Sequence, residues 1–137
     1  MPVYLLDTNA FSELVNDPEG KVAHKYQRVE SDPGNAVLLS IVTACEARYG
    51  VQKRRAKRLA ERVEELLDAF LVVPLDVGVD SHYAHLRTDL ELRGQPIGPN
   101  DMLIAAHALA LDAILVTDNT SEFRRVKGLR VENWLRG

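Results

Sequence analysis

Apolar and polar residues follow two kinds of pattern along this chain, and each pattern predicts one kind of element. Segment 56–70 is the clearest case, because its apolar residues recur with the helical period, at Leu59, Val63, Leu66, Leu67 and Phe70. This spacing predicts an amphipathic helix with one face against a core. Segment 100–111 is apolar on nearly every face, which is typical of a buried helix.

The remaining segments predict short strands that alternate with helices. Strands are predicted at Val3–Leu6, 36–39, 71–75, 113–116 and 129–131, and helices at 10–15, Lys21–Glu30, 43–51, 56–70, 79–93 and 100–111. Strands separated by helices need crossover connections, so we predict an α/β fold of three layers with a mainly parallel central sheet of about five strands. Pro74, late in the third strand, favours a sheet edge or a strand end.

The composition fits one soluble domain that spans residues 1–137. Hydrophobic residues make up 46% of the chain and charged residues 27%, which is an ordinary globular balance. Cys45 is the only cysteine, so no internal disulfide can form and a reducing compartment is expected. The N-terminus lacks a signal-peptide pattern, and no apolar stretch is long enough to span a bilayer. We therefore expect a cytoplasmic protein with no membrane partner.

The charge balance limits the kinds of nucleic-acid protein that this chain can be. The formal net charge is −3, from 17 Lys and Arg against 20 Asp and Glu. A protein that binds nucleic acid by broad electrostatics normally has a basic surface, so that class is disfavoured. A metal-dependent nuclease is not excluded, because it concentrates acids where divalent cations bind.

Four acids are predicted to meet at one edge of the sheet: Asp7, Glu46, Asp101 and Asp118. Asp7 and Asp118 follow predicted strands, Glu46 lies in the first turn of a helix after a strand, and Asp101 opens the buried helix. In such sheets ligands bind beyond the carboxyl ends of the strands. Acids that converge there repel each other unless a cation neutralises them. Oxygen ligands favour Mg²⁺ or Mn²⁺ over zinc, and such ions activate water against a phosphodiester.

Each of these acids also has a purely structural alternative. Asp7 suits a helix N-cap or a turn, and Asp118 suits a turn. The sequence from Thr43 to Glu46 matches a capping box, in which the Glu side chain reaches back to the cap. Asp101 suits the positive end of a helix dipole. No single acid identifies the site, and the prediction depends on their shared position.

Other polar residues are assigned roles outside the acid cluster. The histidines do not form a convincing metal set, and His107 on the apolar helix is interpreted as a core or interface residue with satisfied hydrogen bonds. Ser40 and Thr43 are expected to orient groups near Glu46. The basic run in segment 53–62 is read as a solvated helix face rather than an RNA contact. A second basic set lies nearer the predicted site, and its candidate RNA-binding residues are Arg124, Arg125 and Lys127.

Two rival functions follow from the same residues. A phosphatase or phospho-acceptor domain would use Asp7 as its nucleophile. Such sheets usually have a second acid two residues on, where this chain has Asn9, or a lysine near the last strand. The other rival is a binding module that has lost its chemistry, and the intact acids argue against it.

Four motifs stand in order along the chain. They are Leu6-Asp7-Thr8-Asn9, Ser40-x-x-Thr43-x-x-Glu46, Pro99-Asn100-Asp101-x-x-Ile104-Ala105-Ala106 and Val116-Thr117-Asp118-Asn119-Thr120-x-Glu122-Phe123. Together with the closing segment 128–134, they resemble the PIN-domain nucleases, and most closely the VapC-type toxins of bacterial toxin–antitoxin pairs. The resemblance covers essentially the whole chain.

The resemblance implies a PIN-like, Rossmann-like fold and a Mg²⁺- or Mn²⁺-dependent endoribonuclease that acts as a homodimer. It also implies inhibition by a cognate VapB-type antitoxin whose C-terminal segment covers the active-site groove. Asp7, Glu46 and Asp101 match the three central acids of the family, and Asn9 matches a residue that helps orient the first. We expect Thr43, Thr117 and Asn119 to position these groups or a water.

The fourth acid departs from the family pattern. In many members it stands two residues after the threonine, where this chain has Asn119. Here Asp118 stands one residue earlier, and we predict that it completes the metal site, with Asn119 as the alternative. Glu122 is a further acid within reach of the same loop.

Overall fold

Five strands form the central sheet of the computed structural model, which describes residues 2–135. The strands are β1 (Val3–Leu6), β2 (Ala36–Ser40), β3 (Leu71–Val73), β4 (Ile114–Val116) and β5 (Val131–Glu132). Their order across the sheet is β3-β2-β1-β4-β5, and every pairing is parallel. Leu6, at the end of the central strand, lies opposite Leu39 on one side and Val116 on the other.

Seven helices connect these strands within the described residues. They are α1 (Thr8–Asn16), α2 (Lys21–Glu30), α3 (Ile41–Arg54), α4 (Lys57–Ala69), α5 (Val79–Leu92), α6 (Pro99–Ala110) and α7 (Thr120–Phe123). The six predicted helices are all present, mostly with ends displaced by one or two residues. The sequence prediction missed α7, because four residues are too short to show a helical period.

The sheet separates two apolar cores, so the fold has the predicted three layers. One core joins Leu5 and Leu115 to α5 and α6, and the other joins Leu6 and Leu39 to α1, α2 and α4. Adjacent residues of a strand point to opposite faces, which explains why Leu5 and Leu6 belong to different cores. Strands buried on both faces read as continuous apolar runs, as they do in this chain.

The start of α3 differs from the prediction in a way that affects the site. The helix begins at Ile41, and Ser40 is its N-cap, with the Ser40 hydroxyl accepting the Val42 N–H at 3.1 Å. Thr43 therefore lies inside the helix, and the predicted capping box between Thr43 and Glu46 is wrong. The Thr-x-x-Glu pattern alone does not distinguish Thr43 from the serine three residues earlier, which also favours an N-cap.

Two predicted strands are shorter or displaced in the structure. β3 ends at Val73, directly before Pro74, and lies at the edge of the sheet as the proline indicated. β5 begins at Val131 rather than at residue 129. The prediction of one domain over residues 1–137 also includes Met1, Arg136 and Gly137, which lie outside the described residues.

The carboxyl ends of the central strands form the edge that positions the candidate site. The Asp7 N–H donates to the Val116 carbonyl at 2.9 Å, and the Thr117 N–H donates to the Glu132 carbonyl at 2.9 Å. These bonds extend the pairing of β1, β4 and β5 by one residue. The carboxyl ends of the three strands therefore lie side by side at one edge of the sheet. Between residues 2 and 135, no helix has the length and apolar content needed to cross a membrane.

Candidate active site

Asp7 lies at the end of β1 and is also the N-cap of α1. Its Oδ1 accepts the Ala10 N–H at 2.8 Å, and only 2% of the residue is exposed. Thr117, at the end of β4, also hydrogen-bonds to this carboxylate. The structural and the functional interpretations of Asp7 are therefore compatible, because the cap occupies one oxygen and fixes the direction of the other.

Burial gives Asp7 an unusual acidity. The pKa of its carboxyl is raised to about 6, chiefly by desolvation and also by the negative charges of Asp101 and Glu46, against the lowering effect of the Thr117 and Ala10 hydrogen bonds. Burial disfavours the ionised form of an acid, and nearby like charges add to that effect. Asp7 is thus placed where no cationic side chain of residues 2–135 compensates its negative charge.

Asp101 lies in the first turn of α6, as predicted, and is half-buried. Burial raises the pKa of Asp101 to about 6, and the charges of Glu122 and Glu46 act in the same direction. The two carboxylic acids whose pKa values are raised therefore come from different elements, and each is affected by Glu46. Perturbed acids that share a charged neighbour are typical of functional sites.

Glu46 lies in the second turn of α3, and two neutral donors hold its carboxylate. Oε1 accepts a hydrogen bond from the Thr8 hydroxyl, and Oε2 accepts one from Asn100 Nδ2 at 3.4 Å. Thr8 follows Asp7 in the chain, and Asn100 precedes Asp101. The structure therefore joins three of the four predicted acids through their immediate chain neighbours. The contribution of Thr8 was not predicted, since no local pattern indicates a contact between residues 38 positions apart.

The loop after β4 presents two acids in different surroundings. Asp118 Oδ1 accepts a hydrogen bond from Asn133 Nδ2 at 3.0 Å. Asn119 donates its backbone N–H to the Thr117 hydroxyl at 2.9 Å, and its side-chain amide donates to Glu122. Glu122 is one of the two acids whose charges raise the pKa of Asp101. The role of Asp118 as fourth acid stays a prediction, and Glu122 enters as a second candidate.

Two of the predicted positioning residues have surroundings that differ from expectation. Thr43 is fully buried, and its hydroxyl has no hydrogen-bond partner in the described part of the chain, so it does not orient Glu46 through a hydrogen bond here. Asn9 is exposed in the first turn of α1, and its predicted role in orienting Asp7 stays a prediction. Thr117, by contrast, contacts Asp7 directly.

The predicted RNA-binding residues are partly held by other contacts. Arg125 Nη1 donates to the Pro96 carbonyl at 3.1 Å. Lys127 Nζ lies 3.6 Å from Asp89 Oδ1. Arg124 is exposed. Exposed ion pairs of this kind are weak and exchange easily, so their contact with RNA stays a prediction.

The oxygen donors at this edge fit a hydrated divalent ion better than a closed metal cage. Within residues 2–135, Asp7, Glu46 and Asp101 form no ion pair, although several surface acids do. The same described range contains no group of three or more acid, histidine or cysteine side chains already arranged around a metal position. Mg²⁺ usually keeps several waters and binds through one or two carboxylates. The carboxylates of the buried Asp7 and the half-buried Asp101 are suited to that mode.

The raised pKa of Asp7 predicts how the metal-free protein responds to pH. Because the pKa rises from 3.8 in the unfolded chain to about 6, the folded state binds more protons between these values, and stability falls as pH rises through that range. Asp7→Asn keeps an oxygen for the Ala10 N–H but removes the charge. We expect it to raise the unfolding free energy by about 2 kcal/mol at pH 7.5.

The measurement is urea unfolding in the presence of chelator at pH 4 and pH 7.5, with Asp68→Asn on the exposed side of α4 as the matched control. The gain from Asp7→Asn should nearly vanish at pH 4, where the wild-type carboxyl is already protonated. A gain of equal size at both pH values would contradict the assigned cause.

Comparison with known sequences places the chain in a family. The PIN domain family model matches residues 4–129. Ribonuclease VapC2 of Rickettsia felis is 35% identical over 136 residues, which cover 96% of this chain and 98% of the relative. The tRNA(fMet)-specific endonuclease VapC of Shigella flexneri is 32% identical over 135 residues, which cover 96% of this chain and 97% of the relative.

Solved structures show the same fold. VapBC2 from Rickettsia felis, bound to a DNA fragment from its promoter, matches with a TM-score of 0.88 and 32% identity, over 96% of this chain and 98% of that one. FitAcB from Neisseria gonorrhoeae matches with a TM-score of 0.82 and 28% identity, over 98% of this chain and 99% of that one. The predicted PIN-like α/β fold is confirmed. The chain therefore belongs to the PIN-domain family and, within it, to the VapC ribonucleases.

Proposed function

We propose that this chain is the toxin of a type II toxin–antitoxin pair and that it cleaves RNA as a metal-dependent endoribonuclease. The observation that supports this most directly is the meeting of Asp7, Glu46 and Asp101 at one sheet edge, with two pKa values raised to about 6 and no cationic side chain among the described residues to neutralise them. The names of the relatives, ribonuclease and endonuclease, support the same reaction class. The expected place of action is the cytoplasm.

Mg²⁺ is the proposed cofactor, with Mn²⁺ as a substitute, and Asp7 and Asp101 are its proposed ligands, with Glu46 contributing directly or through water. A divalent ion bound there supplies Lewis-acid activation of water and stabilises negative charge on the phosphodiester. The protein's own contribution is positional. Ala10 and Thr117 fix the Asp7 carboxylate, and the two neutral donors on Glu46 fix its direction.

Structured RNA is the proposed substrate class. Relatives from Shigella flexneri and Salmonella typhimurium are named tRNA(fMet)-specific endonucleases. The phospho-acceptor alternative has less support, because an Asp7 carboxylate that is 2% exposed and engaged as a helix cap is poorly placed to attack a substrate.

The antitoxin is proposed to bind in a groove between α1, α3 and α4. The groove has a volume of about 130 Å³, and Phe11, Val15 and Val63 are among the apolar side chains that line it. Glu46 lies at one end and Arg54 further along α3, at a spacing of eight residues that corresponds to about 12 Å of helix. An apolar segment with charges of both signs matches such a surface. The solved VapBC2 and FitAcB structures support an antitoxin partner, and a homodimer belongs to the same proposal.

Loss of one acid should abolish RNA cleavage without unfolding the protein. Asp101→Asn is expected to lower the cleavage rate of tRNA by at least about 100-fold, because a ligand and its charge are removed from the reacting centre. The measurement is cleavage by the purified, antitoxin-free chain in Mg²⁺, with Asp68→Asn as the matched control and a chelator arm. Cleavage that survives either Asp101→Asn or the chelator would exclude the proposed chemistry.

The two candidates for the fourth acid can be separated by a paired substitution. We expect Glu122→Gln to weaken Mn²⁺ binding by about 10-fold, because its charge acts on Asp101 and attraction between a carboxylate and the cation is lost. Asp118→Asn, whose oxygen can still accept from Asn133, should have the smaller effect. Mn²⁺ titration followed by electron paramagnetic resonance measures both, and the opposite ranking would identify Asp118 as the fourth acid.

The groove can be blocked at Gly50, which lines it in the middle of α3. A Cβ built at this position meets no heavy atom within 4 Å, so the fold should tolerate a larger side chain. We expect Gly50→Leu to weaken antitoxin binding by about 30-fold, comparable to losing one strong contact, while cleavage of RNA by the isolated chain stays within about threefold.

Gly50→Ala is the control, since it adds helix propensity but little volume. The binding partner is the small protein encoded next to this chain's gene, and binding is measured by calorimetry. If the antitoxin inhibits Gly50→Leu at the same concentrations at which it inhibits the wild-type chain, the antitoxin binds outside this groove.

A further inference from the structure

His107 is a buried polar residue on the otherwise apolar helix α6. It is 1% exposed, and its Nδ1 lies 2.8 Å from the Ser40 hydroxyl, which is itself fully buried. Ser40 is the residue that caps α3. A hydrogen bond between two buried side chains 67 positions apart thus joins the helix of Asp101 to the start of the helix of Glu46.

The proton positions follow from the neighbouring groups. The Ser40 oxygen accepts the Val42 N–H, so its own proton is free to be donated to Nδ1. The Pro74 backbone also interacts with the imidazole, and since proline has no N–H, its carbonyl must accept from the ring. Nε2 then has the proton and Nδ1 accepts from Ser40. Burial lowers the pKa of His107, so this neutral form is the one expected at neutral pH.

A second contact joins the same two helices at the candidate site. Asn100 at the start of α6 donates to Glu46 in α3, whereas His107 near the end of α6 contacts Ser40 before α3 begins. The two helices therefore run in opposite directions. About 9 Å of α3 and 10 Å of α6 separate the two contacts.

The buried contact is the stronger constraint of the two. The bond from Asn100 to Glu46 is 3.4 Å long and lies at an exposed position, where a hydrogen bond adds little. Thr43, one turn from both Ser40 and Glu46, has a buried hydroxyl that makes no hydrogen bond in the described part of the protein. The pair of Ser40 and His107 is thus the short, water-excluded and directional link between α3 and α6.

We propose that His107 is a positioning residue, and that its hydrogen bond with Ser40 sets the position of α3 against α6 and thereby the placement of Glu46 relative to Asp101. This inference rests on the proposed function, because the quantity that it controls is the affinity of the acids for a divalent ion. His107 does not contact that ion. Its effect is transmitted through the first two turns of α3.

Two substitutions of similar size distinguish positioning from simple packing. In His107→Asn, the side-chain amide reaches the place of Nδ1 and keeps the contact with Ser40. In His107→Gln, the longer side chain reaches the place of Nε2 and keeps only the contact with the Pro74 carbonyl. Both leave comparable space in the core and should lose comparable stability.

The readout is the dissociation constant of Mn²⁺ in the absence of RNA, measured by electron paramagnetic resonance, beside urea unfolding of each variant. We expect His107→Gln and Ser40→Ala each to weaken Mn²⁺ binding by about 5- to 20-fold. The double variant should weaken binding no more than either single variant does, because the two residues act through one hydrogen bond. His107→Asn should stay within about twofold of wild type. Val22→Ala, in the core on the other face of the sheet, controls for stability loss alone.

Equal Mn²⁺ affinity in wild type and His107→Gln would overturn the inference and leave the proposed function intact. Equal weakening in His107→Asn, His107→Gln and Val22→Ala would also overturn it, because loss of stability would then explain the effect. A wild-type chain that binds no Mn²⁺ would overturn the proposed function and this inference with it.

Discussion

The burial of one carboxylate, Asp7, is the constraint on which the arrangement of the site depends. It follows the central strand, it is 2% exposed, and the groups that contact it are neutral donors rather than a lysine or an arginine. A buried charge without a counter-charge is costly, and here burial shifts the pKa to about 6 instead. The burial that makes an ionised Asp7 unfavourable without a counter-charge also makes its carboxylate suited to hold a cation.

The topology explains why the other acids arrive at the same place. β1 lies in the middle of the sheet, with β2 on one side and β4 on the other. The strands that follow β1 in the chain are added first on one side of it and then on the other, so the strand order reverses at β1, which Asp7 follows. Ligand sites of open parallel sheets form at such points, beyond the carboxyl ends of the strands. α3 brings Glu46 from the β2 side, and α6 brings Asp101 from the side of β4. Three acids distant in sequence therefore meet at one edge of the sheet.

The sequence was sufficient to predict the helices and strands whose apolar residues form a regular pattern. The apolar stripe of α4, the apolar faces of α6 and the buried strands led to the correct layers and to a parallel sheet. Local chemistry was ambiguous where two residues favoured the same role, as with Ser40 and Thr43 at the start of α3. Contacts between distant residues had no sequence signal: Thr8 with Glu46 is one case, and Ser40 with His107 is another. The sequence also could not decide which residue after β4 completes the site, because Asp118, Asn119 and Glu122 all lie within four residues of Thr120.

The distribution of charge also indicates how an acidic protein can act on RNA. Several basic side chains are paired with acids: Arg93 and Lys127 contact Asp89, and Arg130 contacts Asp112. With a formal net charge of −3, the chain offers little net positive charge, and the site acids repel a phosphodiester. Coulomb repulsion at such short range is substantial in a partly buried site. On the proposal that a divalent ion binds at Asp7 and Asp101, that ion would reverse the sign of the interaction, so RNA affinity and metal binding would be linked. Under the proposed function, the cation would serve attraction of the substrate as well as the chemistry.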